Sequence, residues 1–415
     1  MRVVHVLRKC DPAEWGGTET ALERLFGGLR EYDVDSVVYR PWLASEPAED
    51  PLVRAGHRVE RFKAFVPVVG MSRERRRQLV AVGGNLMSFD LVSALWREEP
   101  VAVIHAHALG RLGGIALTVA KRRGLPYVVT IHGGVMDLPD KVKRSFNAPA
   151  GGWDWGKLFG LFFQSHRLLQ DADAIVTCNE KEAVLLRQHN PAKRIVVQPH
   201  GVPLARYQQD HREEARKAFP QIRGRQVLLS LGRIDPIKNQ GWLLEEAPRM
   251  FQAHSRALLV LAGACTDESY GAGIHATLRK LGLAERVLLT GGLPPDDPRL
   301  IGLLQEAAVL VLPSLSETFG LVLLEAWAAG TSVLSSRTSG AKALVRTGEN
   351  GWLFDLDRPQ TFHEALNRVL SNPDEARRMA ERGAAMVRDD YSVSALAGRM
   401  KALYEQLIED KQCAT

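Results

Sequence analysis

Cysteine is scarce: 4 residues in 415, at Cys10, Cys178, Cys265 and Cys413. None forms a CxxC pair or stands at zinc spacing from a histidine. This excludes a disulfide scaffold and a structural zinc site and favours a reducing compartment. Long apolar runs are missing too. No stretch reaches the ~18 apolar residues of a membrane span, and the opening Met-Arg-Val-Val-His-Val-Leu is too short and polar for a secretory signal. The expected location is cytoplasmic, with a peripheral place at the inner face of the membrane beside it. Solenoid repeats and low-complexity tracts are absent, so repeat arrays and disorder are set aside. No GxGxxG follows the first apolar run, and nothing asks for a nicotinamide cofactor.

What is present describes a folded chain. Hydrophobic residues make up 45% and charged residues 25%, enough for a real core, and the length suggests two domains. The net charge of +6 is unevenly spread: residues 1–200 hold 28 basic against 22 acidic side chains, and the remainder is balanced. The excess concentrates at Arg73–Arg77, Lys121–Arg123 and Lys141–Arg144. Such asymmetry suits an anionic ligand or membrane, or else a set of solvated helix faces. No nucleic-acid recognition motif accompanies it, so a nucleic-acid partner is not expected.

Short β-branched runs alternate with helix-like segments along the whole chain. Val3–Leu7, Val34–Tyr39, Val101–His105, Tyr127–Ile131, Ala174–Cys178 and Ile195–Gln198 read as strands. After the breaker-rich Pro199-His200-Gly201-Val202-Pro203 the alternation restarts at Val227–Leu231, Ala257–Ala262, Val287–Thr290, Val309–Leu312 and Ser332–Ser335. The expectation is an α/β fold of two Rossmann-like domains, 1–200 and 203–393. A helix over about 394–415, with Leu396, Met400, Leu403 and Leu407 on one face, is expected to pack back on the first domain.

The chemistry concentrates where strands run into helices. In Ser314–Gly330 a buried strand ends, a polar loop carries Glu317, Phe319 and Gly320, and a helix starts near Leu321 with Glu325 inside it. Free backbone N–H groups at that edge favour phosphate. The two glutamates are at most roughly 12 Å apart at helical rise, a span that lets two carboxylates hold hydroxyls on either side of a diphosphate. In Leu231–Gln240, Arg233 and Lys238 leave another strand across a proline-fixed turn and can converge on one anion. In the first half, Gly16-Gly17 opens a helix, and His132 ends a strand before Gly133-Gly134. His105 and His107 end a third strand, with one expected to face the interior and the other the cleft. No acidic residues join the histidines at ligand spacing, so no metal site is expected. The Asp-x-Asp pairs at 33/35, 171/173 and 355/357 do not end strands beside a nucleotide site. The apolar Trp153–Phe163 segment reads first as core, then as acceptor-cleft lining or a bilayer contact.

The Glu317-x7-Glu325, Gly232-Arg233…Lys238-Asn239 and Gly16-Gly17 elements, in this order with Asn350-Gly351, resemble the retaining glycosyltransferases of family 4. The boundary departs from the family's usual Asn-Gly-Val-Asp at His200 and Pro203. The resemblance implies the GT-B architecture, two Rossmann-like domains facing across a cleft. It implies transfer of a hexosyl group from a nucleoside-diphosphate sugar to a hydroxyl of a glycan, lipid-linked, anionic or small-molecule acceptor, without metal or other cofactor, in polysaccharide or glycolipid synthesis. Arg233 and Lys238 would hold the diphosphate and Glu325 the ribose. Glu317 would take a sugar hydroxyl, and the Phe319-Gly320-Leu321 amides would take phosphate and sugar. His132 would lie beside the transferred sugar, and Gly16-Gly17 would line the phosphate or acceptor side. The alternatives are a sugar phosphorylase, a nucleotide-sugar epimerase or a non-catalytic glycan- or nucleotide-binding protein.

Overall fold

Runs of valine, isoleucine and leucine, buried on both faces, form two parallel sheets in the computed structural model. It describes residues 1–8, 17–42, 50–73, 76, 86–132 and 153–413. Contacts divide the chain into two units, Met1–His200 with Ser394–Thr415, and Gly201–Val393.

The first unit contains β1 (Arg2–Leu7), β2 (Asp35–Pro41), β3 (Arg58–Phe62), β4 (Val68–Val69), β5 (Val103–His107), β6 (Tyr127–Ile131), β7 (Trp153–Asp154), β8 (Ala174–Thr177) and β9 (Ile195–Val197). Seven of them form a sheet in the order β3-β2-β1-β5-β6-β8-β9, each pairing parallel. β4 and β7 make a separate antiparallel pair. Helices such as Gly17–Arg30 and Gly110–Arg122 cover the sheet. The helix Val393–Cys413 buries Met400, Leu403, Tyr404 and Leu407 against Val3, Val103, Val128 and Val176. Each such apolar side chain contributes about 1.5–3 kcal/mol when removed from water. Gln198 fixes the helix start by donating to the Leu396 carbonyl at 2.7 Å.

The second unit contains β10 (Gln226–Leu231), β11 (Ala257–Ala262), β12 (Val287–Gly291), β13 (Ala307–Leu312), β14 (Val333–Ser336) and β15 (Trp352–Phe354), in the order β12-β11-β10-β13-β14-β15. Leu228, Leu259, Val309 and Leu334 meet Phe354 and Phe362 in its core. In both sheets the chain lays strands to one side, then crosses back and builds on the other. The reversals fall between β1 and β5 and between β10 and β13. At such a reversal the connections leave in opposite directions and open a crevice at the carboxyl ends of the strands. No helix among the described residues is long and apolar enough to cross a membrane. Cys178, Cys265 and Cys413 are free thiols.

Candidate functional site

The reversal in the second sheet brings together the loops after β10 and β13, which pair directly. Two bonds tie the loops to each other. Leu315 N–H donates to the Ile237 carbonyl at 2.8 Å, and the Asn239 amide donates to the Pro313 carbonyl at 3.1 Å. Asp235 shapes the first loop by accepting from the N–H groups of Ile237 and Lys238, both at 2.9 Å. Its other oxygen takes the Arg233 guanidinium at 3.2 Å. The Lys238 stem lies against Gly232, where a β-carbon would sit 3.4 Å from Lys238 Cε. The Lys238 ammonium pairs with the Glu317 carboxylate. The Ser314 hydroxyl donates to the same Glu317 oxygen at 3.2 Å.

Two helix starts converge on this loop. The helix Leu321–Ala328 begins after Gly320, whose φ of +88° suits glycine, and no side chain caps it. Its first-turn N–H groups therefore lack a capping side chain and carry the positive end of the helix dipole. The helix Ser339–Leu344 delivers Gly340 N–H to the Glu317 carbonyl at 2.7 Å. Phe319 and Leu321 are buried, and so is Glu325 one turn into its helix. Arg233, Lys238, Glu317 and the Phe319-Gly320-Leu321 backbone are thus gathered at one sheet edge. Asp235, Ser314 and Gly340 build the same site and went unnoticed in the sequence. Only the Asp-Pro turn at 235–236 carried a signal for any of them.

The reversal in the first sheet holds histidines. His5 lies on β1, His105 and His107 on β5, and His132 just after β6. His105 and His107 were expected to face opposite ways. Both are buried, with ring centroids 4.2 Å apart, because side chains two apart in a strand share a face. His105 is held between the Tyr404 hydroxyl at 2.7 Å and the Thr130 hydroxyl at 2.6 Å. His132 Nε2 lies 2.9 Å from His107 Nδ1, and its ring stacks on His200. Burial drives His105 down to about 3 and His200 to about 4. His5, His107 and His132 are pushed well below the ordinary value for the same reason. At neutral pH the cluster is uncharged. Gly17 starts its helix with open space around it, while Gly16, Gly133 and Gly134 lie outside the described residues.

One other expectation changes. Trp153, Leu158, Leu161 and Phe162 are exposed, and only Phe163 and part of Phe159 join the core, so core packing does not account for this segment. Arg76 is exposed, and its guanidinium donates to the Val68 carbonyl at 3.0 Å. Arg75 and Arg77 lie outside the described residues. Among the aspartates, Asp35 pairs with Arg2, Asp171 with Lys121 and Arg167, Asp173 with Lys411, and Asp355 with Arg337 and Arg358.

Comparison with known proteins agrees with this geometry. The model for "Glycosyl transferases group 1" matches residues 211–386, and that for a "Glycosyl transferase 4-like domain" matches residues 16–201. A D-inositol 3-phosphate glycosyltransferase of Thermobispora bispora is 30% identical over 344 residues, covering 79% of this chain and 76% of the relative. Among solved structures, HepE of Anabaena with UDP and glucose superposes with a TM-score of 0.74 at 17% identity, covering 98% of this chain and 100% of that one. Sucrose-phosphate synthase of Thermosynechococcus elongatus gives 0.73 at 21% identity, covering 99% and 100%. With two parallel-sheet units, the matched loops after β10 and β13 and these relatives, the chain belongs to the group 1 glycosyltransferases, enzymes of the GT-B fold and family-4 type.

Proposed function

We propose that this glycosyltransferase moves a sugar from a nucleoside-diphosphate sugar to an acceptor hydroxyl with retention of anomeric configuration. The observation that carries the reading is the Lys238–Glu317 pair, with Arg233 beside it, in front of the uncapped start of the helix Leu321–Ala328. An ammonium has three donors, so Lys238 can keep Glu317 and still take a phosphate oxygen. Arg233 adds a forked contact to the same diphosphate, and the helix N–H groups take its remaining oxygens. Glu325 holds the ribose hydroxyls and Glu317 a hydroxyl of the sugar, each carboxylate accepting. His132 lies beside the transferred sugar, and Gly16-Gly17 line the phosphate or acceptor side.

The step breaks the bond from the anomeric carbon to the phosphate oxygen and forms the bond to the acceptor oxygen on the same face. The acceptor proton goes to the departing phosphate. Charge grows on the diphosphate as it leaves, and Arg233, Lys238 and the helix start stabilise that charge. No metal is assigned a role: of the Asp-x-Asp carboxylates, Asp35, Asp171, Asp173 and Asp355 are engaged by lysines and arginines. The donor ligands lie in the second unit, which makes the first the acceptor unit. Its positive charge suits a phosphorylated or lipid-linked acceptor, in keeping with the inositol phosphate named for the relative. Peripheral contact with an anionic membrane belongs to the same reading.

The test is a panel of nucleotide sugars, read by thermal shift and by donor hydrolysis in excess EDTA, with the product anomer read by NMR. Stabilisation and turnover by one nucleoside-diphosphate sugar, undiminished by EDTA, are expected. Loss of turnover restored by magnesium or manganese would contradict metal independence, and an inverted product would contradict retention.

A further inference from the structure

Three buried histidines of the first unit are joined head to tail. His5 Nδ1 lies 3.1 Å from His107 Nε2, and His107 Nδ1 lies 2.9 Å from His132 Nε2. The rings come from β1, β5 and the end of β6, around the reversal of the sheet. Each is neutral and carries a single N–H, which makes the two links interdependent. If His107 donates from Nδ1 to His132, its Nε2 has to accept from His5, and all three rings carry the proton on Nδ1. If His107 donates from Nε2 to His5, all three carry it on Nε2. A mixed state sets N–H against N–H, or lone pair against lone pair, inside a dry site. One broken bond there shifts the equilibrium by roughly tenfold or more.

The ends of the chain bear on this directly. His5 Nε2 and His132 Nδ1 are both buried and without a hydrogen-bond partner among the described residues. In either arrangement one end presents a donor and the other a lone pair. His105 stands apart, because Thr130 and Tyr404 occupy both of its nitrogens.

We propose that His107, backed by His5, is a positioning residue that fixes the tautomer of His132, and so sets whether His132 Nδ1 meets a ligand as donor or as acceptor. A ligand oxygen that accepts at Nδ1 selects the state with every proton on Nδ1. A hydroxyl that donates there selects the other state. The change passes through His107 to His5 without moving net charge. The consequence for catalysis rests on the reading that His132 lies beside the transferred sugar; the coupling of the three tautomers does not.

The test is long-range proton–nitrogen NMR of the full chain with isotope-labelled histidine at neutral pH, without nucleotide. The expected result is that His5, His107 and His132 are neutral and share one tautomer. In His107→Phe, His132 should become a tautomer mixture while His105, held by Thr130 and Tyr404, keeps its wild-type tautomer, which shows that the core is intact. Rings with opposite tautomers in the wild type would overturn the proposal, and that measurement needs no variant to fold. An unchanged His132 in His107→Phe would overturn it too. So would added zinc that shifts His5, His105 and His107 together, since these offer ligand atoms within 4.8 Å of one another and would then form a cation site.

Kinetics read the consequence. His107→Phe should lower kcat about tenfold, the rate equivalent of one net hydrogen bond, with little change in donor KM. His107→Asn, whose amide reaches the Nδ1 position, should restore much of the loss. Full kcat in His107→Phe would overturn the positioning role and leave the transferase reading intact. A wild type that transfers no sugar would overturn that reading, and NMR would still decide the coupling.

Discussion

In the proposed reading, Lys238 and Arg233 serve one anion from two different local settings. Lys238 is partly covered and shares its charge with Glu317, whereas Arg233 is more exposed and leans on Asp235. Removing Lys238 would take away the proposed phosphate contact and leave Glu317, among the described residues, with the Ser314 hydroxyl at that oxygen. Lys238→Ala and Arg233→Ala should each lower turnover by about two orders of magnitude or more with the fold retained, since a lost charge-assisted contact in the transition state is worth a few kcal/mol. Steady-state kinetics alongside circular dichroism checks this, and near-wild-type kcat in both variants would remove them from the site. The buried histidines make a separate prediction. Their folded-state pKa values lie below the unfolded value near 6.5, so between those limits the unfolded chain binds more protons. The stability they allow is complete above about pH 6.5 and is lost as pH falls towards about 4, at ~1.4 kcal/mol per pH unit for each histidine that stays neutral. Thermal unfolding should weaken steeply over that window. A His105→Asn variant should show a slope shallower by about one proton, and an equal slope would mean that His105 is already charged in the folded protein.

At the level of elements, the strands that carry the candidate site were legible because parallel strands buried on both faces read as unbroken apolar runs. β6 and β11 have the bounds that their β-branched and leucine runs suggest. β3 was not foreseen: Arg58-Val-Glu-Arg-Phe62 is an edge strand whose charges guard it, so it lacks the apolar signature. β15 is too short to stand out. Glu317, Lys238 and Arg233 could be placed at strand ends from sequence, but the bonds that join their loops pair residues some 75 positions apart in the chain. No local pattern reports such contacts. Gly340 shows the point. A β-carbon there would lie 2.6 Å from the carbonyl carbon of Phe319 and 2.7 Å from its nitrogen, so the helix Ser339–Leu344 approaches the Phe319–Gly320 backbone as only glycine permits. Gly340→Ala should push that backbone away from the site, cost about 1–3 kcal/mol of stability and raise donor KM more than it lowers expression. Unchanged KM and melting temperature would show that the contact relaxes freely.

At the scale of the molecule, charge and apolar exposure fall in the same unit. The whole net positive charge lies in residues 1–200. So does the helix Gly156–Phe162, which leaves Leu158 71% and Phe162 61% exposed beside Trp153. Arg111 grips Asp154 through two bonds of 2.8 and 2.7 Å, and the segment is thereby fixed to the helix Gly110–Arg122. A groove lined by Leu109, Arg111, Lys157, Leu161 and His166 runs next to it. Large apolar side chains held outward on a braced segment, with cations alongside, match what an interfacial membrane contact needs. Each such side chain is worth about 1.5–3 kcal/mol when it leaves water. The double variant Leu158→Asp, Phe162→Asp should therefore weaken sedimentation with anionic vesicles by about a hundredfold or more, while donor hydrolysis, whose proposed diphosphate ligands lie in the second unit, is unchanged. Wild-type binding should also fall with salt, because charges at the surface are screened within about 10 Å at 0.1 M. Equal vesicle binding by the double variant, or none by the wild type at low salt, would leave this face to the acceptor alone.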